Sequence, residues 1–420
     1  LIESYYVKDN VFSVDGLGLS EILETYRTPL YLYSGDVIRS RYGCFTDLFP
    51  GFDVFYSFKA NPNLAICDML RNLGACADVS SLGELEAALT VGFKPENIAF
   101  VGPGKTEEEI QAAIANGIYA IAAESQCELS MIDAGAGRLG KSVDVLLRIN
   151  TLEEPISPEM MVGGPSKFGF DEETVVEEVA DLDLKHARIT GIHVYSASQV
   201  LDAGFISTHL RYVAALALRL SDSIGFDLRC IDFGGGFGVP YEQGDIELDL
   251  KSIAVTARGV REDLRTSHPG CRLLFEVGRF LLAPAGVFVT KALRVKRSRD
   301  KNFVITDGGM NHFSRPVFMR VAHPVRLLNK IGASATVECN VAGPICTPID
   351  ISGRGVMLPP PEAGDIVGIF NAGAYGYTMS MLDFMSLGWP AEVMVDGGRI
   401  RLIRRPRPAN HLFGDQQEIT

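Results

Sequence analysis

A chain of 420 residues exceeds the usual size of one domain, so two are expected. Its 47% hydrophobic and 22% charged residues are ordinary for a globular protein that buries a core without disulfides or metals. With 39 basic against 52 acidic residues the net charge is -13, which opposes nucleic acid and anionic membranes as partners.

The eight cysteines stand singly, with no Cys-x-x-Cys pair. Zinc spacing and a secreted disulfide framework are both missing, so a reducing, cytoplasmic setting and no metal are expected. The start lacks a basic segment followed by an apolar run, so no signal peptide is expected. It also lacks an initiator Met, so a few residues are expected to be missing there. No stretch is long and apolar enough to span a bilayer.

In chain order, residues 30–33 read as a strand. Eight short apolar runs follow at 54–58, 75–79, 98–101, 118–123, 143–149, 189–195, 228–233 and 272–275. Helix-like segments lie between them, such as 83–89 and 106–114, the latter opening on Thr106 with Glu109 as a capping box. This alternation implies a parallel sheet, and eight units in roughly 250 residues is the size of a (β/α)8 barrel. After Pro284 the texture changes to strands at 287–295, 303–306, 336–341, 366–370 and 392–395, joined by Gly/Pro turns. The expected architecture is α/β: a barrel over 35–284, and a mainly β domain from 1–34 and 285–420. From about Arg407 the chain reads as a loose tail.

Active sites of such barrels lie at the carboxyl ends of the strands. The first run ends in Ser57-Phe58-Lys59-Ala60-Asn61, where an apolar surround would suit a Schiff-base lysine; a lone lysine there is otherwise a solvated loop charge. The sixth ends in Tyr195-Ser196-Ala197-Ser198-Gln199. The seventh ends in Asp232-Phe233-Gly234-Gly235-Gly236, whose glycines admit a phosphate to backbone N–H groups or else make a tight turn. The last ends in Glu276-Val277-Gly278-Arg279, which offers a carboxylate for a ring nitrogen and a guanidinium for a phosphate. Two decoys fail on spacing: Gly102-Pro103-Gly104-Lys105-Thr106 lacks the first P-loop glycine, and the 234–238 cluster is not G-x-G-x-x-G.

Taken together, these motifs resemble the fold-type III pyridoxal-phosphate decarboxylases, which include the diaminopimelate and ornithine decarboxylases. The resemblance runs over almost the whole chain. It rests on Tyr56 to Asn61, Ala77-Asp78-Val79-Ser80-Ser81, the Gly234 to Gly236 triad, Glu276 to Arg279, Gly343-Pro344-Ile345-Cys346 followed by Asp350, and Asn371-Ala372-Gly373-Ala374-Tyr375-Gly376. It implies pyridoxal phosphate as cofactor and the barrel plus β-domain architecture shared with alanine racemase and ornithine decarboxylase. Lys59 would form the Schiff base, with Asp78 in the cofactor pocket. Glu276 would pair with the pyridine nitrogen, and Arg148 and Tyr195 would face the ring. Ser198, Gly235, Gly236, Arg279 and Tyr375 would hold the phosphate, and Gly278 would also contact the cofactor. Cys346 would protonate the quinonoid carbon, reaching with Asp350 across a homodimer with shared sites.

Three departures from the family bear on substrate. Tyr195 stands where a stacking histidine is expected, with His193 retained one pleat earlier as a supporting residue. Thr347 replaces the carboxylate that receives a distal amine. Arg315 is kept, but the tyrosine four residues on is Met319. The substrate pocket implied by Arg315, Met319, Thr347 and Asp350 is therefore more apolar. The aromatic at 195 resembles a secondary-metabolite subgroup that includes the butirosin-pathway enzyme acting on glutamate held on an acyl carrier protein. A modified or carrier-tethered amino acid is the expected substrate. Diaminopimelate decarboxylation and amino-acid racemization are the alternatives; racemases of the alanine type place an arginine where Glu276 stands. A non-enzymatic cofactor-binding protein would lack the β domain and Cys346.

Overall fold

The computed structural model describes residues 6–8, 11–152, 163–180 and 182–417. The chain divides into two compact units, one of Tyr42–Val239 with Glu247–Gly278, the other of Leu1–Arg41 with Pro240–Ile246 and Arg279–Thr420.

The first unit is a closed barrel of eight parallel strands. Asp53–Ser57, Cys76–Val79, Ile98–Phe100, Ala120–Ala123, Val143–Asn150, Ala187–His193, Cys230–Asp232 and Arg272–Val277 pair in chain order. The ring closes where Phe275 pairs with Val54. All eight runs read from sequence form strands, with ends shifted by up to two residues. These strands are apolar on both faces because the helices cover them outside and side chains fill the lumen. Phe55, Cys76, Ala99, Ala120, Leu146, Cys230 and Leu274 form one inward layer, so two of the cysteines serve as small core residues. Arg272, first in its strand, caps this layer with its guanidinium 4.4 Å from the Tyr119 ring centroid and 5.0 Å from that of Phe55.

Side chains cap the helices, which fixes where each strand ends and its loop begins. Asn63, Ser81, Ser125, Asp202 and Asp249 accept from the first-turn N–H groups of their helices. Thr106 and Glu109 make the reciprocal capping box expected from sequence.

The second unit is mainly β. Leu30–Ser34 pairs antiparallel with Gly286–Ser298 and parallel with Ala391–Asp396. Lys301–Thr306, Val337–Ala342 and Ile366–Ile369 are the other strands anticipated. Leu30, Leu32, Val287, Val289, Val393 and Val395 form its core with Phe12 and Val14. Val11–Val14, Val325–Leu327, Ile351–Leu358 and Arg399–Arg404 also form strands, although the sequence reading passed over them. Two of these carry Gly or Arg at alternate positions, which hides a half-buried strand from a search for apolar runs. The tail expectation fails at its start. Arg407 pairs with Trp389, the only tryptophan, through N–H to carbonyl bonds of 2.9 and 3.2 Å, and its guanidinium lies 4.4 Å from the Trp389 ring centroid. Among the described residues no helix is long and apolar enough to cross a membrane.

Candidate active site

In the barrel unit, Phe58–Ala60 leaves the first strand as a short 3-10 turn and carries Lys59. The Lys59 Nζ donates to Asp78 Oδ2 at 3.0 Å and lies 3.7 Å from Glu276 Oε2. Asp78 lies one residue from the end of the second strand and Glu276 sits in the eighth, so three strands converge on one amine. The lysine side chain is 34% exposed, while both carboxylates are about 1% exposed. Two carboxylates therefore surround this lysine, where the sequence reading had expected an apolar environment. The Tyr195 ring faces the same amine with its centroid 5.5 Å away.

Around this point the electrostatics are tight. Burial, and then the nearby Asp78 charge, pushes the Glu276 carboxyl up to about 7, against the pull of Lys59 and Arg148. His193 Nε2 lies 3.4 Å from Glu276 Oε1. Burial, with the Arg148 and Lys59 charges, holds that imidazole well below its usual range. The contact is thus one of a neutral ring with a carboxyl rather than an ion pair. Arg148 is fixed by Glu124 at 2.9 Å, and its guanidinium covers the Phe168 ring at 4.4 Å. The other Glu124 oxygen accepts from Gly169 N at 3.1 Å.

The glycine loop after the seventh strand packs against the turn after the sixth. A Cβ on Gly234 would stand 2.4 Å from Val194 O, and one on Gly236 would stand 2.4 Å from Ala197 O. His209 joins the two segments: its Nε2 lies 3.0 Å from Phe233 O and its Nδ1 lies 3.0 Å from Ser196 Oγ. Ser198, Gly235 and Gly236 are half-buried beside this junction. Gly278 completes the mouth, since a Cβ there would meet Ala60 Cβ at 2.8 Å in the turn that carries Lys59. Lys105, in the rejected P-loop, is buried in an ion pair with Glu128 at 2.7 Å. That pairing gives it a structural role.

Gly235→Ala provides a steric test. The new methyl would stand 2.1 Å from the Glu276 carbonyl oxygen, closer than any real contact, so the loop must move. Overpacking of this kind costs roughly 1–3 kcal/mol. Thermal melts should show the loss, and cofactor titration should show weaker binding. An unchanged melt and unchanged affinity would rule out the tight loop as a cradle.

The second unit holds its own group of predicted residues. Arg279 Nη1 donates to Tyr241 Oη at 3.2 Å, and the guanidinium lies 4.7 Å from the Tyr375 ring centroid. The Asn371 to Gly376 turn is sharply bent. Asn371 and Tyr375 adopt φ of 56° and 55°, and Asn371 Nδ2 donates to Pro240 O at 2.8 Å. Arg315 is buried, with its guanidinium 5.1 Å from the Tyr241 ring centroid. Met319 follows the short Arg315–Phe318 helix and is 47% exposed. Cys346 is exposed, its Sγ 3.5 Å from Met385 Sδ, and Thr347 is half-buried. Asp350 is buried, with its two oxygens accepting from Met310 N at 2.7 Å and Ile345 N at 2.9 Å. In this chain that carboxylate ties the Cys346 loop to the backbone.

Sequence reasoning left Asp232 without a role and reduced His193 to a support. Asp232 ends its strand beside the glycine triad and is 1% exposed, and only its position before Phe233-Gly234 could have marked it. The Tyr241 contact to Arg279 had no motif to announce it.

These features fit a phosphorylated pyridine aldehyde. They comprise a reachable amine, a buried carboxyl whose oxygens lack hydrogen-bond partners among the described residues, an aromatic face and a close-packed glycine loop. The comparisons agree. The family described as "Pyridoxal-dependent decarboxylase, pyridoxal binding domain" matches residues 36–283. The chain is 35% identical over 416 residues to the L-glutamyl-[BtrI acyl-carrier protein] decarboxylase of Niallia circulans, covering 96% of this chain and 97% of that protein. It is 32% identical over 418 residues to the diaminopimelate decarboxylase of Aquifex aeolicus, covering 98% and 97%. The solved diaminopimelate decarboxylase of M. jannaschi superposes with a TM-score of 0.91 at 29% identity, covering 99% and 98%.

Proposed function

The chain belongs to the pyridoxal-dependent decarboxylases, and from that premise we propose that it removes CO2 from a modified or carrier-tethered amino acid, such as a glutamyl group on an acyl carrier protein. When bound, pyridoxal phosphate supplies an electron sink for the pair left at Cα as CO2 departs. Lys59 would hold it covalently and Asp78 would orient the Lys59 amine. Glu276 would meet the ring nitrogen, with Tyr195 and Arg148 against the ring. Ser198, Gly235, Gly236, Arg279 and Tyr375 would take the phosphate end, with Gly278 also at the cofactor. Cys346 would return a proton to Cα from a second copy in a homodimer, as the family resemblance implies. Arg315 would bind a carboxylate or amide, with Met319, Thr347 and Asp350 toward the distal half of the substrate.

The observation that carries the substrate reading is Thr347 in place of a carboxylate. A buried counter-ion to a distal ammonium is worth about 2–5 kcal/mol, so its loss disfavours free diamino acids. Likeness to a relative named for a carrier-bound glutamyl substrate supports the same reading. Diaminopimelate is the second reading, favoured by the retained Arg315 and by near full-length identity to several decarboxylases of that name.

Mass spectrometry of reactions run in D2O separates these readings. Carrier-bound glutamate, diaminopimelate, ornithine, lysine and arginine are offered to the holoenzyme. The expected result is CO2 loss from the carrier-bound substrate, with one deuteron gained at Cα. Turnover of free diaminopimelate at ordinary enzyme rates would overturn the carrier reading. Deuterium uptake without CO2 loss would show racemization instead.

A further inference from the structure

Beneath the Lys59 amine, the sixth and seventh strands bring two more ionisable side chains against Glu276. His193 ends the Ala187–His193 strand and Asp232 ends Cys230–Asp232. Donor atoms of His193, Asp232 and Glu276 all lie within 4.8 Å of one another, and the three residues are at most 3% exposed. Asp232 Oδ1 accepts from Gly234 N at 2.8 Å. Asp232 Oδ2, both His193 nitrogens and both Glu276 oxygens have no hydrogen-bond partner among the described residues.

A buried polar atom left without a partner costs about 1–3 kcal/mol, so five in one cluster require something to share between them. Two carboxylates this close, cut off from water, cannot both stay ionised. A single proton removes the charge conflict and, with the N–H of the neutral His193 imidazole, supplies donors for four of the five atoms. It turns one carboxyl into a donor and leaves the other a pure acceptor. The backbone bond to Oδ1 leaves Oδ2 of Asp232 as the place for that proton, while both Glu276 oxygens remain acceptors.

We propose that Asp232 and His193 are positioning residues that hold Glu276 through one shared proton, carried on Asp232, so that the trio presents a single negative charge to the ring nitrogen of the cofactor. This rests on the reading that pyridoxal phosphate binds with that nitrogen at Glu276. The surrounding charges agree with it. Burial and the Glu276 charge drive Asp232 well above the usual carboxylate range. Lys59 and Arg148 pull the other way on Glu276, with Asp78 and Glu124 opposing them. Lys105, which also faces His193, is itself paired with Glu128.

Asp232→Asn and Asp232→Ala test the proposal through three readouts: affinity of the apoprotein for pyridoxal phosphate, the acid limb of the kcat/KM pH profile, and metal content. The amide keeps a donor on an uncharged group, so Asp232→Asn should bind the cofactor within about threefold of wild type and leave the acid limb in place. Asp232→Ala removes the donor and should weaken cofactor binding about tenfold and move the limb. A limb displaced by a whole unit in Asp232→Asn would mean that Asp232 is ionised in the native protein, and would overturn the proposal. Asp232→Ala indistinguishable from wild type would do the same. So would one equivalent of a divalent metal in the wild type that Asp232→Asn loses. If Asp232→Ala does not fold, Asp232→Asn still decides. A wild-type chain that fails to bind pyridoxal phosphate would instead remove the functional reading on which the proposal rests.

Discussion

Lys59→Ala is expected to lower kcat by at least about a thousandfold, because it removes the amine proposed to bond the cofactor. Two effects superpose in that variant. The nucleophile disappears, and so does the cation lying 3.0 Å from Asp78 and 3.7 Å from Glu276. Without it, Glu276 loses a charge that favours its ionised form. Lys59→Arg separates the two, since it restores the charge while supplying no Schiff-base amine. Both variants should therefore lose turnover, with Lys59→Arg retaining more non-covalent cofactor affinity than Lys59→Ala. Borohydride treatment followed by peptide mass spectrometry gives a direct reading. Wild type should carry a pyridoxyl adduct on the peptide containing Lys59, and neither variant should. An adduct on another lysine, or turnover in Lys59→Ala within tenfold of wild type, would displace Lys59 from its proposed role.

Much of this site was legible because barrels place chemistry at strand ends, and the strand ends can be read from apolar runs. Lys59, Glu276 and the glycine triad each follow or close such a run, and the structure brings Lys59 and Glu276 to within 3.7 Å. The register of the closed barrel was less legible. Asp78 and Lys59 are 19 residues apart in sequence and meet only because Ser57 pairs with Asp78 across the first two strands. Asp232 and His193 meet for the same reason, as direct partners in the sixth and seventh strands. A single sequence shows which residues end strands but not which side chains then face inward together, since that depends on closure and shear. The β unit was harder still. Arg399–Arg404 alternates charged and apolar residues over its first four positions, a pattern that marks a half-buried strand yet offers no apolar run. Residues 407–413 looked like a tail because their partner, Trp389, lies about twenty residues away across a turn.

Glu276→Gln should cut activity and stabilise the apoprotein at once. Burial strains this carboxyl, the proposed partner of the ring nitrogen, in the folded chain. It is buried beside Asp78 and Asp232, and its titration is raised from the ordinary 4.5 to about 7. Between those values the folded chain binds more protons than the unfolded chain, so stability falls as pH rises. The stabilisation from the protonated acid is complete below pH 4.5 and lost above about 7. His193 has the opposite sign, because its lowered titration lets only the unfolded chain take up a proton below about 6.5, and stability there falls with falling pH. Comparing variant with wild type at each pH cancels most of the histidine contribution. The advantage of Glu276→Gln in apoprotein melts should thus be small at pH 5 and larger at pH 8. There about 1 kcal/mol would appear as roughly 2–4 °C. The same amide cannot carry the negative charge that a protonated ring nitrogen requires, so kcat should fall roughly a hundredfold. Melts that respond to pH identically in both proteins would show that this carboxyl is not strained by burial. Retained turnover would show that it does not serve the ring nitrogen. A gain in apoprotein stability together with a loss of turnover would tie the strain on this carboxyl to its proposed work at the cofactor, the expected trade-off where a buried charge is kept for function.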